Sequence, residues 1–322
     1  MAVHSPETTR VVTMNDGVKL VYDSWTDLRK ERRGADDDEV HLVLLHGWSG
    51  SRKYWREFVD EVVDGAVDAR VDGILAPDLR GHGDSDKSDH SAHVARLAVD
   101  LKCVLDTYFH HSRRETSARR QRVLLVGSSM GAAIIWSFID LFRAEAVGLV
   151  SAVVTVDQAP LQYSSPDWAL GSLGCDTPEA LARLQSALVN DFEAFARANE
   201  DACVVSENRD DPRVRAALEE AERETLRCDP AWLGRLMADH TQLDWRHTLR
   251  HWPAEIRLFA MAGEKSQIFP VEGCTDAIVR LLPDGAKGTS VVIPDAGHWL
   301  YIEKPKSFLR EMAAFIAATF RG

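Results

Sequence analysis

The sequence predicts an α/β protein: a mostly parallel sheet flanked by helices, interrupted late in the chain by a helical insertion. Two observations carry this. Short, continuous apolar runs such as VHLVLLH (40–46) and VLLVG (123–127) have the length of strands buried on both faces. Segments with helical periodicity alternate with them across short turns, the signature of strands joined by covering helices. A third observation is the loss of strand signal from about residue 158 to 252.

Taken in order, Arg10–Met14 and Lys19–Trp25 read as two short strands joined at Asn15-Asp16-Gly17, a hairpin signal. Asp27 to Glu39 is nearly all charged and reads as an exposed loop. The buried strand 40–46 follows, then a helix from Lys53 to about Val63, a strand near Gly73–Ala76 and a helix from about Ser91 to Phe109. His110 to Arg122, polar and basic, reads as a surface excursion. Strand 123–127, helix 131–142 (GAAIIWSFIDLF) and strand 151–156 (SAVVTV) complete the first part. Helical periodicity then marks Pro178–Asn199, Arg213–Arg227 and Pro230–Asp239. Strands resume at 255–263 (EIRLFAMAG) and 290–295 (SVVIPD), and an amphipathic helix closes the chain at Pro305–Phe320. The expected organisation is a core of residues 1–157 and 253–322 with an insertion at 158–252, too long to be a plain loop.

Composition narrows the function. The chain has 322 residues, 45% hydrophobic and 27% charged, enough for a full core. A net charge of −12 argues against nucleic acid and anionic membranes as partners, since both require a basic face. No apolar run approaches a bilayer span, and MAVHSPETTR lacks the features of a signal peptide. The five cysteines stand singly, which argues against a metal ribbon or disulfide scaffold and suits a cytoplasmic protein. The expected partner is a small-molecule substrate, with no metal and no cofactor; the oligomeric state is left open.

Gly127-Ser128-Ser129-Met130-Gly131 is G-x-S-x-G set between a buried strand and a helix. A turn that tight lifts the Ser129 hydroxyl above the carboxyl edge of the sheet, at a helix N-terminus whose dipole favours an oxyanion. A serine needs a base. Of the twelve histidines, His298 alone combines an adjacent glycine with a loop between the last strand and the last helix. Oxyanion donors are expected from the backbone N–H groups of Trp48, directly after the first buried strand, and Met130. His46 reads as a structural hydrogen-bonding residue.

HGWSGS (46–51), DLRGHGDSD (78–86), GSSMG (127–131) and AGHW (296–299) together resemble the α/β-hydrolase-fold superfamily, in its order and over nearly the whole chain. The resemblance implies a serine hydrolase with residues 158–252 as its cap, and makes DLRGHGDSD a structural turn. With serine at the elbow, it points away from haloalkane dehalogenases and epoxide hydrolases, which carry aspartate there.

One departure matters. The resemblance places the acid after the next-to-last strand, where this chain has Ser266. Asp157, at the end of strand 151–156, is expected to supply the carboxylate instead, as in cofactor-free quinolone dioxygenases and certain lactonases; Glu264 is the alternative acid. The expected activity is cleavage of a carboxylic ester or lactone of a small, largely apolar substrate by Ser129, His298 and Asp157. Trp136, Trp168 and Trp299 are candidates to line the pocket. Two rivals remain: a cofactor-free dioxygenase using a His298–Asp157 dyad, and a non-catalytic receptor for a small ligand.

Overall fold

A computed structural model describes residues 4–26, 28, 38–65, 71–115 and 120–320. Eight strands, β1 (Thr8–Thr13), β2 (Lys19–Trp25), β3 (Glu39–Leu45), β4 (Gly73–Pro77), β5 (Gln121–Ser128), β6 (Val150–Val156), β7 (Arg257–Gly263) and β8 (Gly288–Ile293), form one sheet. Its order is β1-β2-β4-β3-β5-β6-β7-β8, antiparallel at β1/β2 and β2/β4 and parallel from β4 onward.

The helices before β6 are α1 (Arg56–Val63), α2 (Val94–Glu115), α3 (Met130–Leu141) and α4 (Arg143–Leu149). Between β6 and β7 come α5 (Pro178–Asn190), α6 (Phe192–Cys203), α7 (Pro212–Thr225), α8 (Pro230–Gln242) and α9 (Arg246–Arg250). The rest are α10 (Val271–Cys274), α11 (Asp276–Leu281), α12 (Leu300–Glu303) and α13 (Pro305–Phe320).

The two-residue period of the strands divides the core into two layers. Leu42, Leu44, Leu124, Val126 and Val154 turn to one face and pack with Phe58 of α1 and Phe308 and Met312 of α13. Val43, Leu45, Val123, Leu125 and Val153 turn to the other and meet Leu97 and Leu101 of α2 and Ile135 and Phe138 of α3. A run apolar at every position, such as Leu42–Leu45, is therefore buried on both faces, and β3 as a whole is buried throughout.

Local chemistry corrects several sequence expectations. The single helix expected over 178–199 is two helices, because Asp191 leaves helical geometry and its side chain caps α6 by accepting from Ala194 N. The expected excursion at His110–Arg122 is partly helix, since α2 runs to Glu115, and partly strand, since β5 opens at Gln121; residues 116–119 lie outside the described residues. Of the charged loop 27–39, residues 27 and 29–37 also lie outside them, and Glu39 already belongs to β3. Helices α4, α9, α10 and α11 are too short for periodicity to reveal.

Strand register sets the site. Leu45 pairs with Gly127, Ser128 with Val156, Val156 with Met261 and Gly263 with Ile293. The loops opening at His46, Ser129, Asp157, Glu264 and Pro294 thus leave one edge of the sheet side by side, the edge where open α/β sheets bind ligands. Among the described residues, no helix is long and apolar enough to cross a membrane.

Candidate active site

Ser129 is the single residue between β5 and α3, and the chain reverses through it at φ 52°, ψ −126°. An L-residue adopts that conformation only under strain, on the order of 1–3 kcal/mol, that its surroundings must hold. Three features hold it here. Ser129 N–H donates to Val156 O at 2.8 Å. A Cβ on Gly127 would lie 2.4 Å from the Gly131 carbonyl carbon, and one on Gly131 would lie 2.6 Å from Leu45 O. Both glycines of the motif are required because backbone passes backbone with no room for a side chain.

Asp157 follows β6 as Ser129 follows β5. It too has positive φ, 48°, and its N–H donates to Met261 O at 2.8 Å. This turn sends the carboxylate towards the histidine loop: His298 Nδ1 lies 2.5 Å from Asp157 Oδ2, with both side chains buried. A carboxylate at Nδ1 leaves Nε2 as the free ring nitrogen and favours the tautomer that can accept a proton there. Ser266 Oγ donates to the same Asp157 oxygen at 2.6 Å. The residue standing where the resemblance places the acid thus hydrogen-bonds Asp157, an interaction that sequence reasoning missed although it had singled out the position. Ser129 Oγ and His298 Nε2 are not joined by a hydrogen bond; resting sites often leave this link long until substrate tightens it.

The loop after β3, expected to supply an oxyanion donor, packs directly on the serine: a Cβ on Gly47 would lie 3.1 Å from Ser129 Cβ. Met130, the first residue of α3, has no intrahelical acceptor for its N–H. Trp48 is the residue after Gly47, and its ring is fixed by an Nε1–H bond to Leu233 O at 3.1 Å and an edge-on contact with Phe195 of α6. His46 donates from Nδ1 to Gly47 O and accepts Leu79 N–H at Nε2, and burial holds its pKa well below the ordinary value. His82 is bonded in the same manner, to Arg80 O and Ser49 N–H, with its pKa lowered to about 4 by burial. Both imidazoles are neutral and fully engaged, so they order the two turns.

Glu264 is not brought to the histidine. It is exposed, and its Oε2 accepts Asp295 N–H at 3.0 Å on the outer side of the loop. Of the three tryptophans, Trp299 packs edge-on against Tyr54 beside the histidine. Trp168 sits in a cluster with Leu161 and Phe269, and Phe269 in turn faces the His298 ring at 6.1 Å. Trp136 is fully buried in the α2–α3 layer of the core, as packing of α3 dictates. Among the described residues, no cluster of His, Cys, Asp and Glu has the arrangement to hold a metal ion.

The sequence profile described as the alpha/beta hydrolase family matches residues 42–311. Bifunctional epoxide hydrolase 2 of Rattus norvegicus is 22% identical over 293 residues, 82% of this chain and 49% of that protein. The chain spans between 21% and 56% of the length of four curated relatives that it matches. Among solved structures, a bromoperoxidase from Bacillus anthracis superposes with TM-score 0.77 at 18% identity, covering 96% of this chain and 99% of that one. An esterase from Exiguobacterium antarcticum does so with TM-score 0.77 at 16% identity and the same coverage. With a profile match extending from β3 into α13, this chain belongs to the alpha/beta hydrolase family.

Proposed function

We propose that the chain is a serine hydrolase that cleaves a carboxylic ester or lactone of a small, largely apolar substrate. The observation that carries this reading is the 2.5 Å His298–Asp157 contact on the sheet edge that also bears Ser129 at a strained turn. In this reading Ser129 Oγ attacks the carbonyl carbon as His298 Nε2 takes its proton. Asp157 stabilises the imidazolium, and the N–H groups of Trp48 and Met130 receive the oxyanion. Collapse of the tetrahedral intermediate breaks the bond to the alcohol oxygen, which takes the proton from His298. Water, deprotonated by the same ring, then releases the acid and restores Ser129. The likeness to an esterase and the aromatic side chains Trp48, Phe195, Phe269 and Trp299 around the edge support an ester with apolar substituents.

A panel of aryl and alkyl esters and lactones, assayed with the wild type and Ser129→Ala, tests it. Turnover that disappears with the hydroxyl supports the reading; turnover that survives refutes it. A second reading, cofactor-free oxygenation, draws on a closed His298–Asp157 pair to which Ser129 is not hydrogen-bonded. Oxygen consumption with a hydroxylated heteroaromatic, undiminished in Ser129→Ala, would select it.

A further inference from the structure

Glu303, the last residue of α12, is a charged side chain only 4% exposed. Neither carboxylate oxygen is idle. Oε2 accepts Gly297 N–H at 2.5 Å, one residue before His298. Oε1 accepts Val205 N–H at 2.7 Å and Asn208 Nδ2 at 2.8 Å, both in the segment joining the cap helices α6 and α7. The two sides are in direct contact as well: Trp299 N–H donates to Cys203 O at 3.0 Å, and a Cβ on Gly297 would lie 3.0 Å from that same oxygen. Asn208 also donates to Asp295 O at 2.9 Å, and Arg213 of α7 reaches the carbonyls of Ile302 and Glu303.

Helix α6 therefore runs from Phe195, on the Trp48 ring, to Cys203, on the Trp299 amide. It bridges the donor loop and the histidine loop, and one carboxylate fixes its far end to the residue beside the base. A buried carboxylate satisfied by three N–H donors is strongly directional, and removing it strands donors from both segments.

We propose that Glu303 is a positioning residue that couples seating of the cap to placement of His298, so that the cap segment Val205–Asn208 must be docked for the base to face Ser129. This deepens the hydrolase reading above and rests on it. The cap then does more than cover substrate. With the cap undocked, the Glu303 carboxylate loses two of its three donors and the Trp299 N–H loses Cys203 O, so the histidine loop is less firmly held.

Two variants test the coupling from opposite sides. Glu303→Gln places an amide NH2 against one of the N–H donors. Val205→Pro deletes one of the two cap-side donors and leaves Asn208 Nδ2 and Gly297 N–H on the carboxylate, and the native backbone (φ −62° at Val205, extended at Val204) already suits proline and its predecessor. Each is compared with wild type for labelling by an organophosphorus serine probe, separating the rate of bond formation from the affinity for the probe, alongside thermal unfolding. Lys53→Ala is the control: it cuts the Lys53–Glu220 and Lys53–Glu224 contacts between core and cap, far from Gly297 in the hydrogen-bond network.

The expected result is a labelling rate constant at least about tenfold lower in Glu303→Gln and about threefold lower in Val205→Pro. Probe affinity should stay within about twofold, and the control within about twofold in both, on the logic that lost positioning appears in the chemical step. A wild-type rate constant in folded Glu303→Gln overturns the proposal. If that variant does not fold, a wild-type rate constant in Val205→Pro overturns it. Failure of the wild type to label, or labelling of Ser129→Ala, removes the hydrolase reading and this proposal with it.

Discussion

Ser266 Oγ and His298 Nδ1 bond the same oxygen of Asp157, Oδ2, at 2.6 and 2.5 Å. Two donors on one oxygen pin the carboxylate in rotation, and the donor from β7's loop stands where the family resemblance leads one to expect the acid.

Ser266→Ala should therefore destabilise the fold by about 1–3 kcal/mol, the usual worth of a hydrogen bond to a charged group, and lower turnover by less than about tenfold. Urea unfolding and ester kinetics measure the two effects. An unchanged stability would mean that the hydrogen bond does not hold Asp157.

Asp157→Asn should reduce turnover by roughly 10⁴, because the amide favours the wrong imidazole tautomer. Adding Ser266→Asp to that variant should recover at least about tenfold, since position 266 already lies within hydrogen-bond reach of residue 157's Oδ2 beside the ring. No recovery would show that the two loop ends are not equivalent seats for the charge.

Glu264→Gln should leave turnover within about twofold of wild type. Its carboxylate is bonded to Asp295 N–H and does not reach His298. A fall of a hundredfold or more would transfer the acid's role to it.

Much of this was legible in the sequence. The core strands could be read because a run apolar at every position, such as Leu42 to Leu45, has no other use at that length. The serine turn could be read because Gly127 and Gly131 record a close backbone approach in the residues themselves. Asp157 was singled out by default, once residue 266 proved to be serine; its carboxylate lies against His298, and its role as the acid is a proposal. Glu303 was not found, since a glutamate ending one helical turn reads as a solvated charge until Gly297, Val205 and Asn208 are seen converging on it. The break at Asp191 was missed for a similar reason: helical periodicity continues across a residue that in fact caps a new helix.

Buried titrating groups away from Ser129, His298 and Asp157 contribute to the pH dependence of stability. Glu200 of α6 is 3% exposed, and burial raises its pKa from 4.5 to about 8. Between those values the unfolded chain releases a proton that the folded chain keeps, so this group makes stability fall as pH rises from 4.5 to 8. Glu200→Gln should remove about one proton from that slope, measured by urea unfolding at a series of pH values. A slope identical to wild type would mean that Glu200 ionises normally in the fold.

His82 and His240 act with the opposite sign. Burial lowers both from 6.5 to about 4, so across that window the unfolded chain binds more protons and stability falls as pH drops. Each contributes roughly 3 kcal/mol of acid destabilisation once pH reaches the lower value. His240→Leu should flatten the acid limb by about one proton, and an acid limb as steep as wild type would contradict this.

The most direct measurement is peptide mapping of the adduct formed with an organophosphorus serine probe, with rates compared in wild type, Asp157→Asn and Glu264→Gln. A single adduct on Ser129 is expected, formed at the wild-type rate in Glu264→Gln and slowed by orders of magnitude in Asp157→Asn. An adduct on another residue, or a fast reaction in Asp157→Asn, would contradict it.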